Sequence, residues 1–409
     1  HFCLVFWVIY RILNEGRHYR GLKIVDKRQF NSDIKKEIKS GETGLEYTNK
    51  DLYVGKDKLR IPKGLGGNMW AFLGVSGTGK SQGMFDYLLL IRSYGEKAII
   101  VDPAGEYCKR FCTENDIILS LYDVRSEPYS FWNEGLDPMT IATSLIEEIN
   151  STNPFWSKAG QALFAGLLAQ NDSPKKMYEM LLENTDTLKE KFKAQADAAG
   201  VVLGEGEQAG GVISTAAVDL LWLKNMNHWA DRQGKKDPFS IMKWAKNNND
   251  KRWVFLTYAD RHKSVAKHLV RLWSDLAVLG AFTRGESIKN VLIWLVCDEL
   301  STIGKLPSMS LLEDRGRKYG LGLMAGFQTP SQLEVMYGTA LAKVMIQGLQ
   351  NLVMFRSGEK EMLEFMSQNC GEAEYIQSNS SSSFGVRNTE SMSEQIVRRR
   401  NVLPDEFRL

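Results

Sequence analysis

No two of the five cysteines, Cys3, Cys108, Cys112, Cys297 and Cys370, stand at C-x-x-C spacing, and none joins a histidine at zinc spacing. A structural zinc site and a dithiol redox centre are therefore excluded as organising features. Cys108 and Cys112 would share a helix face, but no second ligand pair accompanies them, and reduced, inert thiols are the expectation. No apolar run reaches the roughly 20 residues that a membrane-crossing helix takes. An excess of charge of one sign is lacking too. The formal net charge of the 409 residues is +3, too small to argue for or against a polyanionic partner. No internal repeat is present, which removes a repeat array from consideration.

What remains is ordinary globular material, 43% hydrophobic and 25% charged, long enough for two or three domains and an ample core. One stretch organises it. Gly74-Val75-Ser76-Gly77-Thr78-Gly79-Lys80-Ser81 fits the phosphate-binding pattern G-x-x-x-x-G-K-[ST]. It follows the apolar run Met69 to Leu73 and precedes a predicted helix through Tyr87 to Ile91. Glycines let the backbone curl and aim its N–H groups at phosphate oxygens, and the helix N-terminus adds partial positive charge. Lys80 is assigned to the β- and γ-phosphates of a bound nucleotide, and the Ser81 hydroxyl to Mg2+.

Apolar runs over 97–102 and 117–122 read as further buried strands, the mark of a parallel sheet covered on both faces. Over 137–249 the apolar residues recur at helical spacing, opening at Asp137-Pro138, with helices near 155–170, 174–183, 186–198, 212–225 and 239–247. Strand signals resume at 252–257, 291–297, 321–325 and 352–355, alternating with helices near 263–282, 308–318, 330–336 and 338–347. Ser378 to Phe384 reads as a flexible polar loop.

The strand Val291 to Cys297 leads into Asp298-Glu299, the acidic pair a nucleotide site requires. Asp298 is assigned to the metal and Glu299 to polarising the attacking water. Gln328, just past a predicted strand, can orient that water. Arg317 is a candidate arginine finger, whereas Arg315 reads as a solvated charge. Asp102 and Glu106 lie at the sheet edge where ligands bind, although Asp102 also suits a turn cap.

Residues 1–10 are predicted as the end of a truncated transmembrane helix, since Phe2 to Ile9 is wholly apolar and Trp7 and Tyr10 suit an interface. Residues 11–50 form a basic juxtamembrane segment, with nine Lys or Arg against four acids between Arg11 and Lys39.

With these residues placed, the chain resembles the type IV coupling proteins, the TraD/TrwB-like ATPases of bacterial conjugation and type IV secretion. The resemblance is carried in order by the phosphate loop, Asp102…Gly105-Glu106, Asn153-Pro154-Phe155-Trp156, Cys297-Asp298-Glu299-Leu300, Arg317-Lys318-Tyr319-Gly320, the run Gly326-Phe327-Gln328-Thr329-Pro330-Ser331-Gln332-Leu333 with Tyr337-Gly338, and Leu403-Pro404-Asp405-Glu406. It implies an α/β, RecA-like P-loop domain with a mainly parallel sheet (51–136 and 250–409), interrupted by an all-α inserted domain (137–249). It further implies ATP and Mg2+ as cofactors, Lys80, Ser81, Asp298, Glu299, Arg317 and Gln328 as site residues, and a homo-hexameric ring anchored in the bacterial inner membrane by N-terminal helices. A DNA-stimulated ATPase would couple single- or double-stranded DNA and its relaxase or relaxosome to the secretion channel. Two alternatives stay open on the sequence: an FtsK/HerA-like chromosomal translocase, and a receptor for secreted proteins whose ATPase only gates the channel.

Overall fold

The computed structural model describes residues 2–5, 17–22, 24–40, 53–54, 59–60, 69–148, 155–193, 209–226, 237–285, 292–349, 351–383 and 389–408. Strands β1 (Phe2–Val5) and β2 (Arg17–Gly21) precede helix α1 (Lys27–Ser40), and β3 (Tyr53–Val54) pairs antiparallel with β4 (Leu59–Arg60). Next come β5 (Met69–Leu73), α2 (Lys80–Ser93), β6 (Lys97–Pro103), α3 (Glu106–Phe111) and β7 (Ile117–Leu119). The helices α4 (Pro138–Leu145), α5 (Phe155–Gln170), α6 (Pro174–Leu181), α7 (Thr185–Lys193), α8 (Ala209–Leu220) and α9 (Ile241–Lys246) follow. The alternation then resumes with β8 (Val254–Tyr258), α10 (Lys263–Phe282), β9 (Ile293–Cys297), α11 (Met309–Arg315) and β10 (Leu321–Phe327). It closes with α12 (Pro330–Tyr337), α13 (Thr339–Gly348), β11 (Asn351–Met354), α14 (Lys360–Cys370), β12 (Glu372–Ser383) and β13 (Thr389–Arg400).

The chain forms two compact units. The first comprises His1–Tyr94, Ala325–Leu333 and Ile346–Leu409, the second Gly95–Met324 and Glu334–Met345. In the first, β1, β11 and β5 run parallel in that order, with Leu352 beside both Cys3 and Ala71. A separate antiparallel sheet has the order β13-β12-β2, with an irregularity in register between Glu374 and Tyr375.

In the second unit β9, β6, β8 and β7 run parallel in that order, and β6, β8 and β9 are buried at nearly every position. Their continuous apolar runs suit strands covered on both faces. Gly322, on the part of β10 in this unit, has no room for a side chain: a Cβ there would lie 2.6 Å from the fully buried Trp294 ring. The short helix α9 is held at both ends by buried charge. Glu134 accepts from Ser240 Oγ at 2.7 Å, Ile241 N at 3.0 Å and Met242 N at 2.9 Å, while Lys97 Nζ donates to the carbonyls of Trp244 and, at 2.8 Å, Asn247. A carboxylate at the N-terminus and an ammonium at the C-terminus each match the helix dipole.

Several expectations meet a different structure. Phe2–Val5 is not the end of a helix: it is a strand on the edge of β11, where parallel pairing satisfies backbone groups that a lone extended run would leave open. Residues 6–10 lie outside the described residues. Among the described residues no helix is long and apolar enough to cross a membrane. The described part of the basic segment holds β2 and α1. The polar run from Ser378 belongs to strand β12 as far as Ser383, because β13 supplies a partner for every residue from Glu372 to Ser383; Phe384 lies outside the described residues. Between Pro138 and Lys246 every named element is helical.

Candidate nucleotide site

In the first unit the loop Gly74–Gly79 joins β5 to α2. Gly74, Gly77 and Gly79 all have positive φ, at 146°, 78° and 104°. Only glycine takes such angles at little cost, so the three glycines of the loop are demanded by its backbone. Thr78 Oγ1 donates to Val75 O at 2.7 Å and Val75 N to Arg356 O at 3.3 Å, closing the loop on itself and on the chain after β11. Gly83, in the first turn of α2, has a role the motif did not advertise. A Cβ there would stand 3.0 Å from Phe355 Cζ and 3.2 Å from Phe72 Cε1.

The head of α2 carries no acidic residue in its first turn and no side-chain cap. Lys80 is 7% exposed, and its ammonium donates to the Gly74 carbonyl at 2.6 Å. That partner is neutral, and no ion pair to Lys80 occurs among the described residues. A buried cation at an uncapped helix N-terminus calls for an anion. The loop therefore fits a phosphate group on its own chemistry. Ser81 follows at the second helical position.

In the second unit β9 delivers Asp298 and Glu299 at its C-terminal end, both half-buried. Ser301 Oγ donates to Glu299 Oε1 at 3.0 Å, and Cys297 Sγ to the Glu299 carbonyl at 3.0 Å. Asp298 accepts a hydrogen bond from the Tyr107 hydroxyl. Tyr107 is buried, and burial together with that carboxylate pushes its pKa far above the ordinary phenol value. Sequence reasoning missed Tyr107, because nothing in its spacing tells a core tyrosine from one that holds a carboxylate.

The same strand edge explains Asp102. Val101 lies beside Cys297 in the β6–β9 register, so Asp102, near the end of β6, and Asp298, just past β9, come at the same level of adjacent strands. The Asp102 carboxylate is fully buried and accepts from Tyr107 N at 3.1 Å and Cys108 N at 2.6 Å. It caps α3 and so fixes the backbone from which Tyr107 reaches Asp298. Burial raises its pKa to about 6. Glu106 points to solvent.

The segment after Glu299 is tied to two helices. Asp275 on α10 accepts from Ser308 N at 2.9 Å and from Ser144 Oγ at 2.6 Å. Arg271 on the same helix donates to Lys305 O at 2.7 Å and to the last-turn carbonyls of α4 at Thr143, 2.9 Å, and Ser144, 2.6 Å. Arg315 donates to Tyr319 Oη at 3.1 Å with its guanidinium 5.5 Å from that ring, an intramolecular engagement in line with its bland reading. Arg317 sits exposed in the turn Gly316–Tyr319. Gln328, in the first unit, follows the end of β10, with its N–H donating to Gln332 Oε1 at 3.1 Å. The structure thus gathers the phosphate loop in one unit and Asp298, Glu299 and Arg317 in the other.

The family model for the type IV secretion-system coupling protein DNA-binding domain matches residues 57–409. Coupling protein TraD of Escherichia coli K12 is 27% identical over 399 residues, which cover 94% of the chain but only 54% of TraD, so the chain spans about half the length of this relative. Among solved structures, the bacterial conjugative coupling protein TrwBdeltaN70 in its unbound form superposes with a TM-score of 0.80 at 23% identity, covering 96% of this chain and 88% of that one. The plasmid coupling protein TrwB in complex with ADP and Mg2+ gives 0.78 at 23% identity, covering 96% and 89%. These structures share the fold.

Proposed function

The chain belongs to the type IV secretion-system coupling protein DNA-binding domain family, and on that premise we propose that it is the ATP-hydrolysing part of a coupling protein in bacterial conjugation or type IV secretion. The observation that carries the reading is the Lys80 ammonium, buried at the uncapped head of α2 beneath a loop of left-handed glycines. In this reading the loop from Gly74 to Ser81 holds the phosphates of ATP, and Lys80 balances charge on the γ-phosphate. Ser81 and Asp298 would hold Mg2+, which would supply charge neutralisation to the phosphates. Glu299 takes the proton of the attacking water, Gln328 orients that water, and Arg317 stabilises charge in a neighbouring subunit's site.

The helical stretch 137–249 is proposed as an inserted all-α domain of a RecA-like subunit. Six copies would form a ring at the inner membrane, engaging DNA, the relaxosome and channel components. Support for DNA as the substrate is the family itself and, for nucleotide, the ADP–Mg2+ complex of TrwB.

The test is steady-state ATP hydrolysis across a protein concentration series, with and without single-stranded DNA, at low and physiological salt. Lys80→Ala is expected to abolish turnover, and Glu299→Gln to bind ATP and stall. Stimulation by DNA that rises with protein concentration is the expected result and marks a motor assembled on its substrate. Normal turnover by Glu299→Gln would remove the assigned base. Hydrolysis indifferent to DNA would favour the receptor for secreted proteins instead.

A further inference from the structure

Beyond the C-terminal ends of two parallel strands an exposed tyrosine and a histidine lie stacked. β7 and β8 run side by side with Leu119 beside Leu256, and ligands of open parallel sheets bind along this edge. Tyr122 follows β7, and His262 ends the turn Asp260–His262 that follows β8. Their ring centroids are 3.7 Å apart with planes inclined by 20°. Tyr122 keeps 37% of its surface exposed in spite of the stack. Arg261 Nε donates to His262 Nε2 at 3.0 Å, which fixes the imidazole plane. The Tyr122 side is fixed as well. Asp123 accepts from Arg125 N at 2.9 Å, Nε at 3.1 Å and Nη2 at 2.8 Å, so the turn carrying the tyrosine is laced shut.

The surroundings are cationic. Arg261 is exposed, and the first two turns of α10 present Lys263 and Lys267, four residues apart on one helix face and both exposed. Against them stand the exposed Asp260 and the half-buried Asp123, the latter engaged by Arg125. Two rings held parallel in solvent, with cations beside them, offer a flat π-face at small ordering cost.

We propose that the Tyr122–His262 pair is a stacking platform for an unpaired base of single-stranded nucleic acid, with Arg261, Lys263 and Lys267 meeting the flanking phosphates. This rests on the DNA-handling reading above and adds the strand state and the residues. Duplex DNA has no unstacked base to give the platform. Base stacking on an aromatic ring tolerates any sequence, whereas phosphate contacts set the salt dependence.

The experiment measures fluorescence anisotropy of a labelled oligo-dT and of an abasic oligomer of equal length, titrated with the 409-residue chain across a salt series. Tyr122→Ala is expected to weaken oligo-dT binding about tenfold, within the range for one stacked base, with an unchanged salt slope. Tyr122→Phe, which keeps the π-face, is expected to bind as the parent does. On the abasic oligomer all three proteins should be equal. Unchanged oligo-dT affinity in Tyr122→Ala, or an equal loss on both oligomers, overturns the platform while leaving DNA binding in place. Failure of the parent chain to bind either oligomer overturns the DNA-handling reading, and the platform with it.

Discussion

A carboxylate that binds a cation does so best when its orientation is already set. Asp298, proposed as a Mg2+ ligand, has that service from the Tyr107 hydroxyl, and Tyr107 has it in turn from Asp102, whose buried carboxylate pins the start of α3. Removing the hydroxyl alone tests the chain of support. Tyr107→Phe keeps the buried ring and is expected to raise the Mg2+ concentration for half-maximal hydrolysis several-fold, with the thermal midpoint little changed and nucleotide binding without metal unaffected. An unchanged Mg2+ profile would reduce Tyr107 to packing. Lys97 is a second residue whose state follows from its surroundings. Burial lowers its pKa from 10.5 to about 7. Between those two values the unfolded chain binds the extra proton, so this residue makes stability rise with pH from about 7 towards 10 and leaves it flat below 7. Neutral lysine retains two N–H donors for the carbonyls at the end of α9. Urea midpoints at a series of pH values for the parent and Lys97→Met should differ in slope over that window; parallel curves would assign the titration elsewhere.

Elements were legible where one local signal sufficed. The helix from Lys263 to Phe282 follows from its periodicity, and the strand-loop-helix of the phosphate motif from its glycines. The antiparallel sheet was not legible, since Arg17–Gly21 and the serine-rich β12 are strands only through partners hundreds of residues away or across a hairpin. Propensity cannot see such pairing. Asp298 and Glu299 stood out because a strand ended in two acids, while Gly322 did not, because its requirement comes from Trp294 on β9. Gly322→Ala tests that requirement. Overpacking a buried indole costs about 1–3 kcal/mol, so the midpoint of thermal unfolding is expected to fall by several degrees. An unaltered midpoint would mean that β9 and β10 yield more easily than their burial implies.

At the scale of the whole molecule, the chain order of the site residues crosses the two units twice: the phosphate loop precedes the acidic pair and Arg317, and Gln328 follows them. If the proposed ring lets Arg317 serve a neighbour, Arg317→Ala should be inactive alone. It should recover hydrolysis in mixed rings with Lys80→Ala, where an intact loop meets an intact arginine. Absence of recovery in rings shown to be mixed would confine the residue to its own subunit. The small antiparallel sheet bears on how copies behave before any ring forms. Its outer strands are β13 and β2, and their arginines are engaged within the molecule: Arg398 with Glu372 at 2.6 Å, Arg400 with Glu364 at 2.6 Å and Arg20 with Glu374 at 2.7 Å. Strand edges are templates for runaway pairing between molecules, and here a second copy would have to dislodge ion pairs that already hold the edge side chains in place. Dilute buffer should therefore keep the protein dispersed, and added salt, by weakening those exposed ion pairs, should be the condition under which it clouds.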